Sequence, residues 1–390
     1  MAKARPVLNG IRVLDFTRVL AGPYATRLLA DFGAEVIKVQ NPADPSPETA
    51  FDRGYYETWN RNKLSVTLNL NKPEGVALVK RLIARCDAVI ENFTPRVMAN
   101  WGLDYPELKR LKPDIIMVSL SVMGQTGPLR NLTGFGATVQ ALSGLMQLTS
   151  FPGQSPVGPG FSYADHIAGL YASLGLLAAL EHQRETGEGQ HIDISEVEAV
   201  ASLLGGAFLE ASVTGKEPPR TGNWSLLAAP HNVYLCKDNR WCAIAVLTER
   251  EWEGLKRAMG NPDWAEDERY SSVKARRQNI DELDKLVEQW TRQYTALEVM
   301  QLLQQNGVAA GVVQNAADLA SDPQLKARRF FIDKPEMGKL IDATPVKLSK
   351  SKAEYRTGAP LPNQDNEFVF LDLLGLSRRE LSRLKDHGVI

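Results

Sequence analysis

The 390-residue chain has only three cysteines, Cys86, Cys236 and Cys242, far apart and without CxxC spacing. Such a set builds neither a disulfide framework nor a thiolate zinc site, and a reducing cytoplasm is the expected setting. An excess of one charge is also missing: 45 Lys plus Arg stand against 46 Asp plus Glu. Nucleic-acid binders usually carry a basic surplus, so no nucleic-acid partner is expected. The longest apolar stretch, residues 167–180, falls short of the roughly 20 residues that cross a bilayer, and no membrane partner is expected. Met1-Ala2-Lys3-Ala4-Arg5-Pro6 is not followed by an apolar run, so no secretory signal is expected either. The five histidines show no HExxH or other ligand spacing, which argues against a metal. GxxxxGK[ST], a GxGxxG at a strand end and GxSxG are all absent, disfavouring P-loop, nicotinamide and nucleophile-elbow chemistry.

Against these absences stands a regular alternation of two periodicities. Short β-rich runs at 11–16, 35–40, 65–70, 88–90 and 115–118 are separated by helical patterns at 24–32, 73–86 and 106–112. Strand–helix alternation predicts a doubly wound parallel sheet of the Rossmann-like α/β kind. Ligands in such sheets lie beyond the carboxyl ends of the strands, here residues 16–23 and 91–95. A further strand is expected at 191–194 and an apolar helix at 196–213. After a Pro-containing linker at 215–222, a second α+β unit begins. It has a hairpin (233–235 and 241–246), helices at 249–259, 281–293 and 296–306, and a strand at 308–313.

The most suggestive local feature is Phe161-Ser162-Tyr163-Ala164-Asp165-His166-Ile167. A loop rich in Gly and Pro runs into Asp165, which opens a long apolar helix reaching Thr186. An aspartate at that place is a good N-cap. A carboxylate held at a helix end, facing a cleft, can also attack an acyl carbonyl. The two readings are compatible, and spacing alone does not choose between them.

Several ordered motifs extend over nearly the whole chain: residues 8–17, Ala21-Gly22-Pro23, residues 33–39, Ile90-Glu91-Asn92-Phe93, Gly124-Gln125-Thr126-Gly127-Pro128, Ala141-Leu142-Ser143-Gly144, Thr186-Gly187-Glu188-Gly189-Gln190 and Asp322-Pro323-Gln324. With them the chain resembles the class III CoA transferases, the CaiB/BaiF family that includes carnitine–CoA and formyl-CoA transferases. The resemblance implies that Asp165 is a covalent nucleophile. It would carry CoA from an acyl-CoA donor to a free carboxylic acid through an aspartyl anhydride and an aspartyl-CoA thioester. CoA and acyl-CoA would be substrates, with no permanently bound cofactor. Val19 and Leu20 match positions at the thioester end of the pocket, and Asn92 and Phe93 match positions beside the CoA nucleotide and pantetheine. Lys38 and Arg61 are candidates for neutralising its phosphates. Leu20 stands where formate–oxalate enzymes carry glutamine, and Asn41 and Asn100 where they carry arginines. Their glycine-rich flap has no counterpart at 221–229. Oxalate or formate specificity is therefore not expected.

Two alternatives stay open. The same superfamily includes 2-methylacyl-CoA racemases, but Phe135 stands where their histidine is expected, and a phenyl ring cannot move a proton. The other alternative is a non-catalytic CoA-binding subunit of a heteromer. The resemblance also implies a large domain of residues 1–215 completed by 331–390, a small α+β domain at 216–330, and an interlocked homodimer, with a heteromer containing a paralogue as the variant assembly.

Overall fold

The structure is a computed structural model and describes residues 5–43, 50–334 and 339–390. The first four residues of the N-terminal stretch considered above lie outside it. The chain forms two compact units: Met1–Met146, Gly158–Glu217 and Lys326–Ile390 make the larger, Gln147–Val157 and Pro218–Leu325 the smaller.

In the larger unit six strands lie parallel: β1 (Arg12–Asp15), β2 (Glu35–Gln40), β3 (Leu64–Thr67), β4 (Ala88–Glu91), β5 (Ile116–Ser121) and β6 (His191–Ser195). Their order is β3-β2-β1-β4-β5-β6. The connections reverse direction between β1 and β4, which opens a crevice at the carboxyl ends of those two strands. Strand side chains point alternately to the two faces. Val13 and Val36 accordingly pack on one face and Leu14 and Ile37 on the other. Every residue of β4 and β5 is buried, as expected for strands covered on both sides.

Helices of this unit include α1 (Ala21–Asp31), α2 (Ala50–Asn60), α3 (Pro73–Ile83), α4 (Arg96–Asn100), α5 (Tyr105–Leu111), α6 (Gly136–Leu142), α7 (Leu145–Leu148, whose last two residues fall in the smaller unit), α8 (Tyr163–Thr186), α9 (Glu196–Ala201) and α10 (Gly205–Thr214). Helices α1 and α8 share the core on the Val13 face, while α3 and residues 369–390 fill the Leu14 face. The edge strand β3 is covered: Asp365 accepts from the Ser65 amide at 2.8 Å and Asn366 from the Thr67 amide at 3.0 Å.

Three elements differ from the sequence expectation. Helix α1 starts at Ala21 rather than Tyr24, because Pro23 falls in a first turn, where a missing amide costs no hydrogen bond. The helix expected at 196–213 is broken by a 3₁₀ turn over Ser202–Leu204, ahead of Gly205 and Gly206. Residues 50–60, given no element from the sequence, form α2. By length and composition alone, Tyr163–Thr186 and Glu196–Thr214 could each span a membrane. The first instead buries Ala168, Ala172, Leu176 and Ala179 in the core, whereas Leu203, Phe208, Leu209 and Val213 of the second are exposed.

The smaller unit has an antiparallel sheet, β7 (His231–Leu235), β8 (Trp241–Ala245) and β9 (Ala309–Val312), with β8 central. Helices α11 (Glu249–Ala258), α12 (Val273–Gln278), α13 (Ile280–Thr291) and α14 (Ala296–Gln305) accompany it. Its core holds Tyr234, Trp252, Tyr270 and Trp290. Residues 147–157, which the sequence reading places in the larger domain, belong here: Arg220 donates to the Gln154 carbonyl at 2.7 Å and to the Gln147 side chain.

Candidate active site

Asp15 ends β1 and is fully buried. Its carboxylate accepts from the Thr17 amide (2.8 Å), the Thr17 and Thr26 hydroxyls (2.5 and 2.7 Å) and Lys63 Nζ (3.0 Å). Lys63 also donates to the Pro23 carbonyl and to Asn60 Oδ1, and Lys38 to the Thr17 carbonyl at 2.7 Å. This network fastens the β1–α1 loop from beneath. Burial alone would raise the Asp15 carboxyl, but Lys38, Lys63 and the two hydroxyls outweigh it and hold the pKa at about 2. Burial pushes Lys63 down to about 7 against the pull of Asp15.

Above the network the loop is strained. Val19 has φ 65°, a left-handed conformation costly for a β-branched residue. Asn92 fixes its neighbour: Oδ1 accepts from the Arg18 amide at 2.8 Å and Nδ2 donates to the Arg18 carbonyl at 2.9 Å. The Arg18 guanidinium lies 5.9 Å from the Phe93 ring centre, and Phe93 meets Trp101 edge to face. Phe16, Arg18, Val39, Gln40, Phe93 and Trp101 line a cleft at the carboxyl ends of β1, β2 and β4. Of the sequence candidates, Phe93 lines this cleft, Asn92 holds the Arg18 that lines it, and Val19 follows Arg18 in the loop. Leu20 turns inward and is buried.

Lys38 and Arg61 do not face the crevice as phosphate ligands would. Lys38 is spent on Thr17 and Asp15. Arg61 is 2% exposed, with Nε and Nη2 on Asp31 (3.0 and 2.7 Å) and Nη1 on Asp342 (3.1 Å). Both lysine and arginine are charge partners of interior aspartates, and that placement speaks against the phosphate role.

Asp165 lies on α8, whose N-cap is Ser162. It occupies the third position of the first turn and is not the cap residue that sequence spacing allowed. The residue is 8% exposed, and its Oδ2 finds no hydrogen-bond partner among the described residues. Space for that oxygen depends on Gly136, the first residue of α6, where a Cβ would lie 2.2 Å from Oδ2. One turn further along α8, Gly169 lets the helix cross α1 so closely that a Cβ would stand 2.6 Å from the Ala21 carbonyl. That crossing sets Asp165 beside the start of α1 and hence beside the Val19–Leu20 loop.

Burial pushes the Asp165 carboxyl above its usual range, opposed by its own amide and by His166. His166 Nδ1 lies 2.7 Å from the Ser162 carbonyl oxygen. Its ring sits among Tyr24, Trp59 and Phe161, with centroids 5.0, 5.2 and 6.0 Å away. Burial raises the Tyr55 phenol, and the Asp165 charge adds to the effect. Glu196, the first residue of α9, is 7% exposed; burial and then Asp165 push it up to about 7. Phe135, 72% exposed, immediately precedes Gly136.

Sequence reasoning missed Tyr55, Trp59 and Glu196. The aromatics at 55, 56 and 59 were a usable signal, since 55 and 59 lie one helical turn apart. Glu196 gave none, being an ordinary acid after the N-cap Ser195.

A buried, unpartnered carboxylate with a raised pKa beside a strained loop marks a functional site on physical grounds. Comparison with known proteins gives the family. The profile of CoA-transferase family III matches residues 8–366. The succinyl-CoA–D-citramalate CoA-transferase of Chloroflexus aurantiacus is 38% identical over 403 residues, covering 100% of both chains. The alpha subunit of a succinyl-CoA–L-malate CoA-transferase from Chloroflexus aurantiacus is 37% identical over 98% of this chain and 92% of its own length. Among solved structures, a CaiB/BaiF family protein from Brucella suis superposes with a TM-score of 0.88 at 32% identity, covering 95% of this chain and 100% of that one. With its matched motifs and this sheet, the chain belongs to CoA-transferase family III and is an enzyme that transfers CoA.

Proposed function

We propose that Asp165 is the nucleophile of a transfer of CoA from a short acyl-CoA, succinyl-CoA foremost, to a dicarboxylic or hydroxydicarboxylic acid. The substrate class rests on what the two relatives are named for. The observation that carries the mechanism is the unpartnered Asp165 Oδ2, held in space that Gly136 leaves open. That oxygen attacks the donor thioester carbonyl; the C–S bond breaks, and its electron pair leaves on CoA sulfur. The thiolate then attacks the aspartyl carbonyl of the anhydride and releases the donor carboxylate. The acceptor carboxylate attacks the aspartyl thioester, and the returning thiolate takes its acyl group. No proton is consumed, and no resident cofactor is invoked. Withdrawal of Asp165 from solvent protects the anhydride from hydrolysis.

Phe135, next in sequence to Gly136, favours transfer over racemisation, because a phenyl ring cannot serve as the base that takes the α-proton of a 2-methylacyl group. A non-catalytic subunit would have no use for the unpartnered Asp165 oxygen. Hydroxylamine trapping after incubation with succinyl-CoA, followed by peptide mass spectrometry, should modify Asp165. Asp165→Ala should lower transfer at least about a thousandfold. Near-normal turnover in that variant would exclude the mechanism.

Exposed apolar residues of α8 (Leu170, Leu174, Leu177) and of the 196–214 stretch (Leu203, Phe208, Leu209, Val213) support a dimer with a second copy of the chain. A paralogue is the variant partner, since one relative is named as an alpha subunit. Analytical ultracentrifugation should find a dimer at nanomolar concentration; a folded monomer there would exclude it. Three free, buried cysteines suit a cytoplasmic setting.

A further inference from the structure

Glu196 stands in the first turn of α9, which packs on both α6 and α8, the two helices whose first turns hold Gly136 and Asp165. Its backbone position is fixed: Ser195 accepts from the Glu198 amide at 3.2 Å, and the Val197 amide donates to the Val122 carbonyl at 3.1 Å. The side chain is withdrawn from solvent beside Val197 and Val200, which belong to the small apolar cluster of Val139 and Ala164. Two carboxyl groups, each more than nine-tenths buried, thus share one region, and no ion pair among the described residues neutralises either.

We propose that Glu196 is a positioning residue of the transfer site, remaining a neutral carboxylic acid so that Asp165 is the only acid there to carry charge at rest and the carboxylate of the acceptor acid can reach the aspartyl thioester unopposed. This rests on the reading of Asp165 as nucleophile. Two like charges in a poorly solvated region cannot both be held cheaply, so the pair keeps one proton between them. A third carboxylate, that of the acceptor, must approach the same place. By then Asp165 is a neutral thioester, so with Glu196 protonated the acceptor meets no negative charge, and with Glu196 ionised it meets one. The proton stays on Glu196 throughout, and no bond to its carbon skeleton forms or breaks.

The surrounding groups do not supply the missing neutralisation. Helix α6 carries no titratable side chain. Helix α8 offers Asp165 itself, with Tyr163 and His166 beside it and Tyr171 bonded to Ser202 at 3.1 Å. Asp193 of β6 and Glu198 of α9 line a separate cavity with Gly124, Thr126 and Arg130. Burial aside, Asp165 is the charge that acts on Glu196, and the Glu196 carboxyl is pushed up to about 7.

The test is a pH profile of kcat/KM for the acceptor, using succinyl-CoA and the best acid from a dicarboxylate panel. In the wild type it should fall towards about tenfold per pH unit once the pH passes the pKa of Glu196, which burial keeps raised after Asp165 is esterified. Glu196→Gln keeps a neutral hydrogen-bonding group and should flatten this limb, whatever its plateau. Glu196→Asp should retain it. A Gln variant with the wild-type limb overturns the proposal. Hydroxylamine trapping on the same samples separates the two readings: no adduct at Asp165 in the wild type defeats the nucleophile, whereas an adduct with an unmoved limb defeats only Glu196. If the Gln variant does not fold, infrared difference spectra of the wild type and of Glu196→Asp decide. A protonated-carboxyl band lost between about pH 6 and about pH 8 that shifts in Glu196→Asp supports the proposal; no band, or only one that Glu196→Asp leaves unmoved, as Glu91 would give, overturns it.

Discussion

Asp15 and Asp165 are aspartates of the same unit, both withdrawn from solvent, in opposite circumstances. Asp15 accepts four hydrogen bonds, one from a lysine, and its pKa is held near 2. Asp165 has an oxygen with no partner, a second carboxyl for a neighbour and a raised pKa. Burial acts on both in the same direction. What separates them is whether the fold supplies donors, and that difference divides a carboxylate that holds structure from one left available to react.

The contrast should be broken most visibly by Asp15→Asn. Removing the negative charge leaves Lys38 and Lys63 without their shared counter-ion, and loss of one partner from a buried charged group costs about 3–5 kcal/mol. Urea unfolding should show that loss in the transition of the larger unit, whereas Asp165→Ala should leave its midpoint unchanged or raised. Equal destabilisation by the two variants would erase the distinction.

Gly136→Ala sharpens it from the other side. The new methyl group would lie 2.2 Å from Asp165 Oδ2, so the carboxylate must move. A displaced reacting group costs about a hundredfold in turnover. The expected signature is a fall in kcat with little change in the unfolding midpoint. A variant with wild-type kcat would mean that the space beside Oδ2 is not where chemistry occurs.

The smallest effect is in the pH dependence of stability. Asp15 binds its proton more weakly folded (about 2) than unfolded (3.8), so its contribution is complete above about pH 4 and is lost as pH falls towards 2. A shift of that size corresponds to about 2 kcal/mol. Glu196 has the opposite sign. Its folded pKa, about 7, exceeds the usual 4.5, so the folded state holds a proton that the unfolded chain releases, and stability declines as pH rises from about 4.5 to about 7. Urea midpoints across that range should fall in the wild type and fall less steeply in Glu196→Gln, where Glu91, also pushed up to about 7 by burial, keeps part of the slope. A slope unchanged by the substitution would place the proton elsewhere.

The sheet was legible because doubly covered strands read as short apolar runs, as at 88–90 and 115–118. Asp165 was legible as a position, through the loop before it and the apolar helix after it; the nucleophile role proposed for it came only through resemblance. Lys38 and Arg61 misled because lysine and arginine are usually exposed. What buries Arg61 includes Asp342, 281 residues away in sequence, and no local pattern announces such a partner. Tyr55, Trp59, Gly136 and Glu196 converge from α2, α6 and α9. Each is unremarkable in its own segment and gains meaning only where the helices meet.

The covered edge of β3 bears on how the chain is made. Ser65 and Thr67 take their acceptors from Asp365 and Asn366, 300 and 299 residues later, and residues as far as Ile390 help fill the core above the same strand. A ribosome adding about 5–20 residues per second needs roughly 15–60 s to cover that distance. During that interval β3 emerges with its outer amides bare, and the whole of the smaller unit is synthesised before they can be met. The larger unit therefore reaches its finished state last, although it is begun first, and until then its open strand edge offers unpaired amides to any neighbouring chain.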